Sequence, residues 1–124
     1  MKTTLYLMLM SALLIGCAKT KGIVFCEGIS PAGDGVNCGK KFEDGELTAL
    51  IASDNPFGVK TISVRIYEIK NNKTEQIEAI PVEVKPEARA ATVNLAFYAG
   101  GKYVVRAMTG NVLIGENQLE IVER

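Results

Sequence analysis

The sequence contains no histidine and no tryptophan. Without histidine it lacks the commonest general base near neutral pH and the commonest zinc ligand. Carboxylates are numerous, but Glu68, Glu75, Glu78 and Glu83 fall on strand ends or outward faces. With no tryptophan and only 6% aromatic residues, little is left from which to build a sugar-cleaving cleft around two of them. Ser30, in Gly28-Ile29-Ser30-Pro31-Ala32, lacks the final glycine of a nucleophile elbow and has no histidine to pair with. No Ser-x-x-Lys dyad is present. These gaps argue against an enzyme and against a catalytic residue, metal or cofactor of any kind. Charge of one sign is missing too, since 14 basic residues balance 14 acidic ones. A neutral chain with no basic cluster is a poor partner for nucleic acid. Lys40-Lys41 is the densest basic spot, and Glu43 and Asp44 answer it at once, as in a solvated turn. Asp34, Asn37, Glu43 and Asp44 could offer oxygens to calcium, but the spacing of an EF-hand loop is absent and turn chemistry accounts for them. No small-molecule substrate is suggested. Also absent is an apolar run long enough to span a bilayer, which takes roughly 20 residues.

What is present begins at the amino terminus. Lys2 supplies a positive start. Residues 5–15 form an apolar run broken only by Ser11, a length that suits a secretory signal helix. Gly16 is small enough for a cleavage site, and Lys19 and Lys21 follow without extending the run. The segment Leu14-Ile15-Gly16-Cys17 resembles the lipobox of bacterial lipoproteins. That resemblance implies a thioether-linked diacylglycerol on Cys17, cleavage just before it, and acylation (commonly palmitate) of the new amino terminus. It divides the chain into a signal peptide (1–16), a lipidated cysteine with a short tether (17–21) and a folded domain (22–124). It also implies an exported, lipid-anchored protein of the cell envelope. Ala18, where an Asp would favour the inner membrane, favours the outer membrane in a Gram-negative cell. One acyl chain holds a protein only marginally, and two or more hold it firmly. The tether reaches only about 15 Å when extended, so the domain is expected close to the lipid surface.

There are 3 cysteines. If Cys17 carries lipid, Cys26 and Cys38 remain as an even pair in an oxidising compartment, where a disulfide is expected. A bond between them would staple the glycine-rich stretch 28–39. By chain entropy it would contribute about 3 kcal/mol.

The rest reads as strand and turn. Short strands are expected at 22–26, 47–53, 61–69, 76–84, 90–98, 103–108 and 112–122. Residues 28–39 read as loop. The period of two is cleanest at 61–69, where Ile62, Val64 and Ile66 alternate with Thr61, Ser63, Arg65 and Tyr67. Pro81 cannot donate to a ladder, which marks 76–84 as an edge strand. Asn71-Asn72-Lys73 reads as a turn and Gly110-Asn111 as a hairpin turn, while Gly115 suggests a bulge or break. No stretch after the signal has a helical period. About seven strands, with turns roughly every ten residues, predict an all-β domain: a single antiparallel β-sandwich.

Gly101-Lys102-Tyr103-Val104-Val105-Arg106-Ala107, followed by a hairpin into a last strand, resembles the end of immunoglobulin-like and fibronectin type III-like domains. The resemblance implies a tyrosine corner, with the Tyr103 hydroxyl bonded back to nearby backbone. The chain departs from antibody domains in having no tryptophan and in carrying its cysteines together near the start.

Exposed apolar residues are the remaining signal. Phe57 stands between Pro56 and Gly58 at a turn tip, and Tyr67 and Tyr98 fall outward by alternation, as do Val104 and Met108. Phe57, Tyr67 and Tyr98 are the candidate partner contacts, since grouped apolar residues mark interaction surfaces. The expectation is a membrane-anchored, non-catalytic binding or structural module that contacts another envelope protein. Two alternatives stand beside it. One is a periplasmic inhibitor of lysozyme or a protease, on a weak likeness of Gly100-Gly101-Lys102-Tyr103-Val104 to an inhibitory loop. The other is a surface adhesion module.

Overall fold

In a computed structural model that describes residues 22–124, nine strands form two packed sheets and no helix occurs among those residues. The expected signal helix, the cleavage site and lipidated Cys17 lie outside the described residues. One sheet holds β1 (Gly22–Ile29), β2 (Gly35–Gly39), β4 (Gly45–Ala52) and β7 (Ala90–Phe97), in the order β2-β1-β4-β7. The other holds β3 (Lys41–Glu43), β5 (Thr61–Lys70), β6 (Lys73–Glu83), β8 (Gly101–Thr109) and β9 (Val112–Val122), in the order β3-β9-β8-β5-β6. Every pairing is antiparallel except that of β3 with β9. The all-β prediction therefore holds, as does the sandwich of two sheets.

Alternation builds the core. Ile62, Val64 and Ile66 of β5 face Phe25 of β1 and Ala49 and Ile51 of β4 across the interior, with Leu95, Phe97, Val105, Leu119 and Ile121 among them. Each of the isoleucine, leucine, valine and phenylalanine side chains contributes about 1.5–3 kcal/mol through removal from water. Asn71 and Asn72 both have positive φ and close the β5–β6 hairpin, while Gly110 and Asn111 close β8–β9. Asparagine and glycine tolerate that backbone, and its twist matches the strands it joins. β6 lies at a sheet edge, as Pro81 required. The irregularity expected near Gly115 falls beside it: Ala107 pairs with Gly115 and Met108 with Leu113, leaving Ile114 as the extra residue.

Three readings are corrected. The segment 28–39 is not a loop throughout, because β1 continues to Ile29 and β2 returns alongside it. Lys40-Lys41 and Glu43 do not form a mere solvated turn, since Lys41–Glu43 pair as a strand with Glu120, Ile121 and Val122, and Phe42 between them is buried. Phe57 is not an exposed tip. It is only 7% exposed and belongs to the core. Its N–H donates to the Ala88 carbonyl at 2.9 Å and that of Gly58 to the Pro86 carbonyl at 2.8 Å. These bonds lace the 53–60 loop to the 84–89 loop and turn the ring inward.

The two long sides of the sandwich differ. On the β1/β9 side the sheets approach so closely that a Cβ at Gly115 would lie 2.7 Å from the Gly22 Cα. The Asn117 side-chain amide also donates to the Ile23 carbonyl at 2.8 Å. On the β6/β7 side the 84–89 loop joins the two edges at the Gly22 pole, and along the strands no hydrogen bond between β6 and β7 occurs among the described residues. There Ile80, Val82, Val84, Ala91 and Val93 are only partly buried.

Candidate functional site

The structure separates the residues offered from sequence as contacts. Phe57 is inside the domain at the pole where β1 begins, the Gly22 pole. Tyr98 follows β7 at the opposite pole and is 71% exposed. Tyr67 is half-buried on the outer face of the five-stranded sheet. They do not form one patch.

Tyr67 is part of a small polar array. β5, β8 and β9 set Tyr67, Val104 and Gln118 in one row and Arg65, Arg106 and Glu116 in the next. The Arg106 guanidinium lies over the Tyr67 ring, 4.6 Å from its centre, and its Nε donates to Glu116 at 2.6 Å. The Glu116 carboxylate, accepting that bond, raises the Arg106 pKa, and burial opposes it. An arginine so engaged on both sides is held flat against the sheet. Val104 faces the same way but is only 6% exposed, covered in a row of larger neighbours.

The Tyr103 side chain points inward and is 3% exposed. Its hydroxyl donates to the Ala99 carbonyl at 2.7 Å, and its ring packs against Phe97 at 4.7 Å between centres. Burial, with the nearby carboxylates of Glu68 and Glu123, pushes its pKa up. The Gly100-Gly101-Lys102-Tyr103-Val104 segment therefore presents no tyrosine to a partner.

Cys26 and Cys38 are directly opposed in the β1–β2 ladder and joined as a disulfide, as expected. Cys26 is fully buried although it lies on the outer side of its sheet. Gly35 covers it: a Cβ there would stand 2.5 Å from both sulfurs and 3.2 Å from Leu50. The bond and the bare glycine backbone thus roof a small apolar spot around Leu50. Of the oxygen-bearing residues near it, Asn37 donates to Glu27 at 3.0 Å. Asp44 accepts from the Arg124 backbone at 3.3 Å and from its side chain at 3.2 Å. Those Arg124 bonds lower the Asp44 pKa, the side-chain bond most. No group of three or more possible metal ligands occurs among the described residues.

Two surface features were not legible in the sequence. At the Gly22 pole a groove of about 540 Å³ runs between Gly22, the 53–57 loop and the start of β9. Beside it Val112 and Leu113 are 65% and 51% exposed. At the Gly22 end of the open β6/β7 side a second cleft of about 490 Å³ lies between residues 83–85, Ala88 and residues 90–92. Alternation shows which residues turn inward, but not which side of a sandwich is left unclosed. No known protein family matches the chain, and no characterised protein matches it either.

Proposed function

We propose that this chain is a lipid-anchored, non-catalytic binding or structural module of the bacterial cell envelope. The observation that carries the reading is the segment Leu14-Ile15-Gly16-Cys17 behind Lys2 and an apolar run. The acylated cysteine would stand five residues before Gly22, the first residue of β1. The Gly22 pole would then face the lipid, and its exposed Val112 and Leu113 are side chains a bilayer surface tolerates. The opposite pole, with Tyr98, and the long sides of the sandwich would face the surrounding compartment.

The domain itself we read as immunoglobulin-like. The order β1-β4-β7 against β3-β9-β8-β5-β6, with β3 parallel to β9, supports that reading. The bond from Tyr103 to Ala99 supports it as well. In such domains the sheets are a rigid frame and recognition is left to loops, faces or edges.

Substituting Cys17→Ala tests the anchor. The variant should leave the membrane fraction and appear soluble, whereas the unaltered chain should pellet with membranes and enter the detergent phase. A variant that stays with the membrane as firmly as the parent would reject the anchor. Crosslinking in cells followed by mass spectrometry would then name the neighbour.

A further inference from the structure

We infer that the free edge of β7 receives an extended segment of another polypeptide, which completes the open side of the sandwich. The inference deepens the reading of a binding module and rests on it.

The edge itself is the first observation. β7 pairs with β4 along all of Ala90–Phe97 without a register shift, and among the described residues no strand lies on its other side. The sequence Ala-Ala-Thr-Val-Asn-Leu-Ala-Phe holds no charge and no proline. Proteins guard such edges with charges, prolines or bulges, because unpaired N–H and C=O groups invite another strand. The chain does guard its other exposed edge beside this one. β6 carries Lys73, Glu75, Glu78, Pro81 and Glu83, and a register shift that leaves Ile77 unpaired. β7 has none of these devices.

The second observation is independent of the first. Beside β7 the interior is unfinished. Ala91 and Val93 of β7 and Ile80 and Val82 of β6 point inward yet remain partly exposed, and at the Gly22 end of that seam the 490 Å³ cleft opens between residues 90–92 and 83–85. A strand hydrogen-bonded to β7 would direct every second side chain into that seam. Backbone pairing would supply affinity and the seam would select the side chains, the general pattern of strand addition.

The seam also bears on which strand fits. A second copy pairing through its own β7 would bring only another Ala91 and Val93 there, because Leu95 and Phe97 are already buried in their own core. Small residues facing small residues would leave the seam unfilled. The occupant is therefore a foreign segment with larger aliphatic side chains on alternate positions. Glu83 and Lys85 border the cleft at the Gly22 end, so polar residues suit that end of the segment.

The test uses the full lipidated chain in nanodiscs and a synthetic peptide that alternates threonine with leucine and valine between terminal lysines. Hydrogen exchange is followed by mass spectrometry with and without peptide. At peptide ten times above its Kd, amides of Ala90–Phe97 should exchange about tenfold more slowly, with little change in β6. Val93→Lys should abolish that protection, while Asn111→Lys at the β8–β9 turn should not. Should Val93→Lys fail to fold, the map on the unaltered chain decides alone. No protection of β7 at millimolar peptide, or protection confined to other strands, would overturn the inference. So would β7 amides already protected without peptide in a species of doubled mass, which would make the occupant a second copy. An unmodified Cys17 beside a protected β7 would instead remove only the membrane reading.

Discussion

Single residues in this domain act mostly by where they are held. Phe57 sits between a proline and a glycine, yet backbone bonds between two loops fold it into the interior. Phe57→Ala should therefore destabilise the domain by roughly 3–5 kcal/mol, the cost of emptying a large core site. A denaturant midpoint within error of the parent's would show that the ring is not part of the core. Asp44 behaves differently, being a half-buried carboxylate whose pKa is lowered by bonds from Arg124. A carboxylate with a lowered folded pKa stabilises above its unfolded value, here near 3.8, and that support is lost as pH falls through the folded value. Thermal melts from about pH 5 down to about pH 2 should fall more steeply for the parent than for Asp44→Asn. Parallel curves would mean that the contact with Arg124 does not discriminate between protonation states.

At the scale of elements, β2 is the weakest. All its residues are exposed, two of the five are glycine, and it touches only β1 within its sheet. Its attachment depends on the bond from Cys38 to Cys26 and on the close approach of Gly35. Reduction should therefore raise hydrogen exchange across Gly35–Gly39 while β5 and β8 stay protected. Loss of protection throughout would mean that the staple holds the whole domain. The same weakness explains what the sequence concealed. β5 and β7 were legible because burial of one face imposes alternation on the residues. β2 has no buried face to impose a pattern, so its glycines read as turn chemistry. β3 is three residues long, and one buried Phe42 between two charges is too short a run to show a period. Hairpin turns were legible for a local reason, since Asn71, Asn72 and Gly110 tolerate positive φ. Phe57 was not, because its burial is decided by a second loop distant in sequence. The three residues proposed as one contact surface lie in three places, a relation that only strand order determines.

For the whole molecule, two asymmetries organise the account. One is along the strands: Gly22, the exposed Val112 and Leu113, and a groove lie at one pole, and Tyr98 with the Asp44–Arg124 contact at the other. The second is across them: one side of the sandwich is closed by Gly115 against Gly22, and the other is open between β6 and β7. A tether of five residues at the first pole would hold the module upright or leaning on a bilayer with its open side facing sideways, toward neighbours in the same envelope. That arrangement depends on lipid at one sulfur. Intact-mass and amino-terminal peptide spectrometry on full-length protein purified from bacterial membranes reads it directly. The account predicts a chain beginning at Cys17 that carries the mass of a diacylglyceryl group. A chain that keeps residues 1–16, or one that begins at Cys17 with a free thiol, would contradict it.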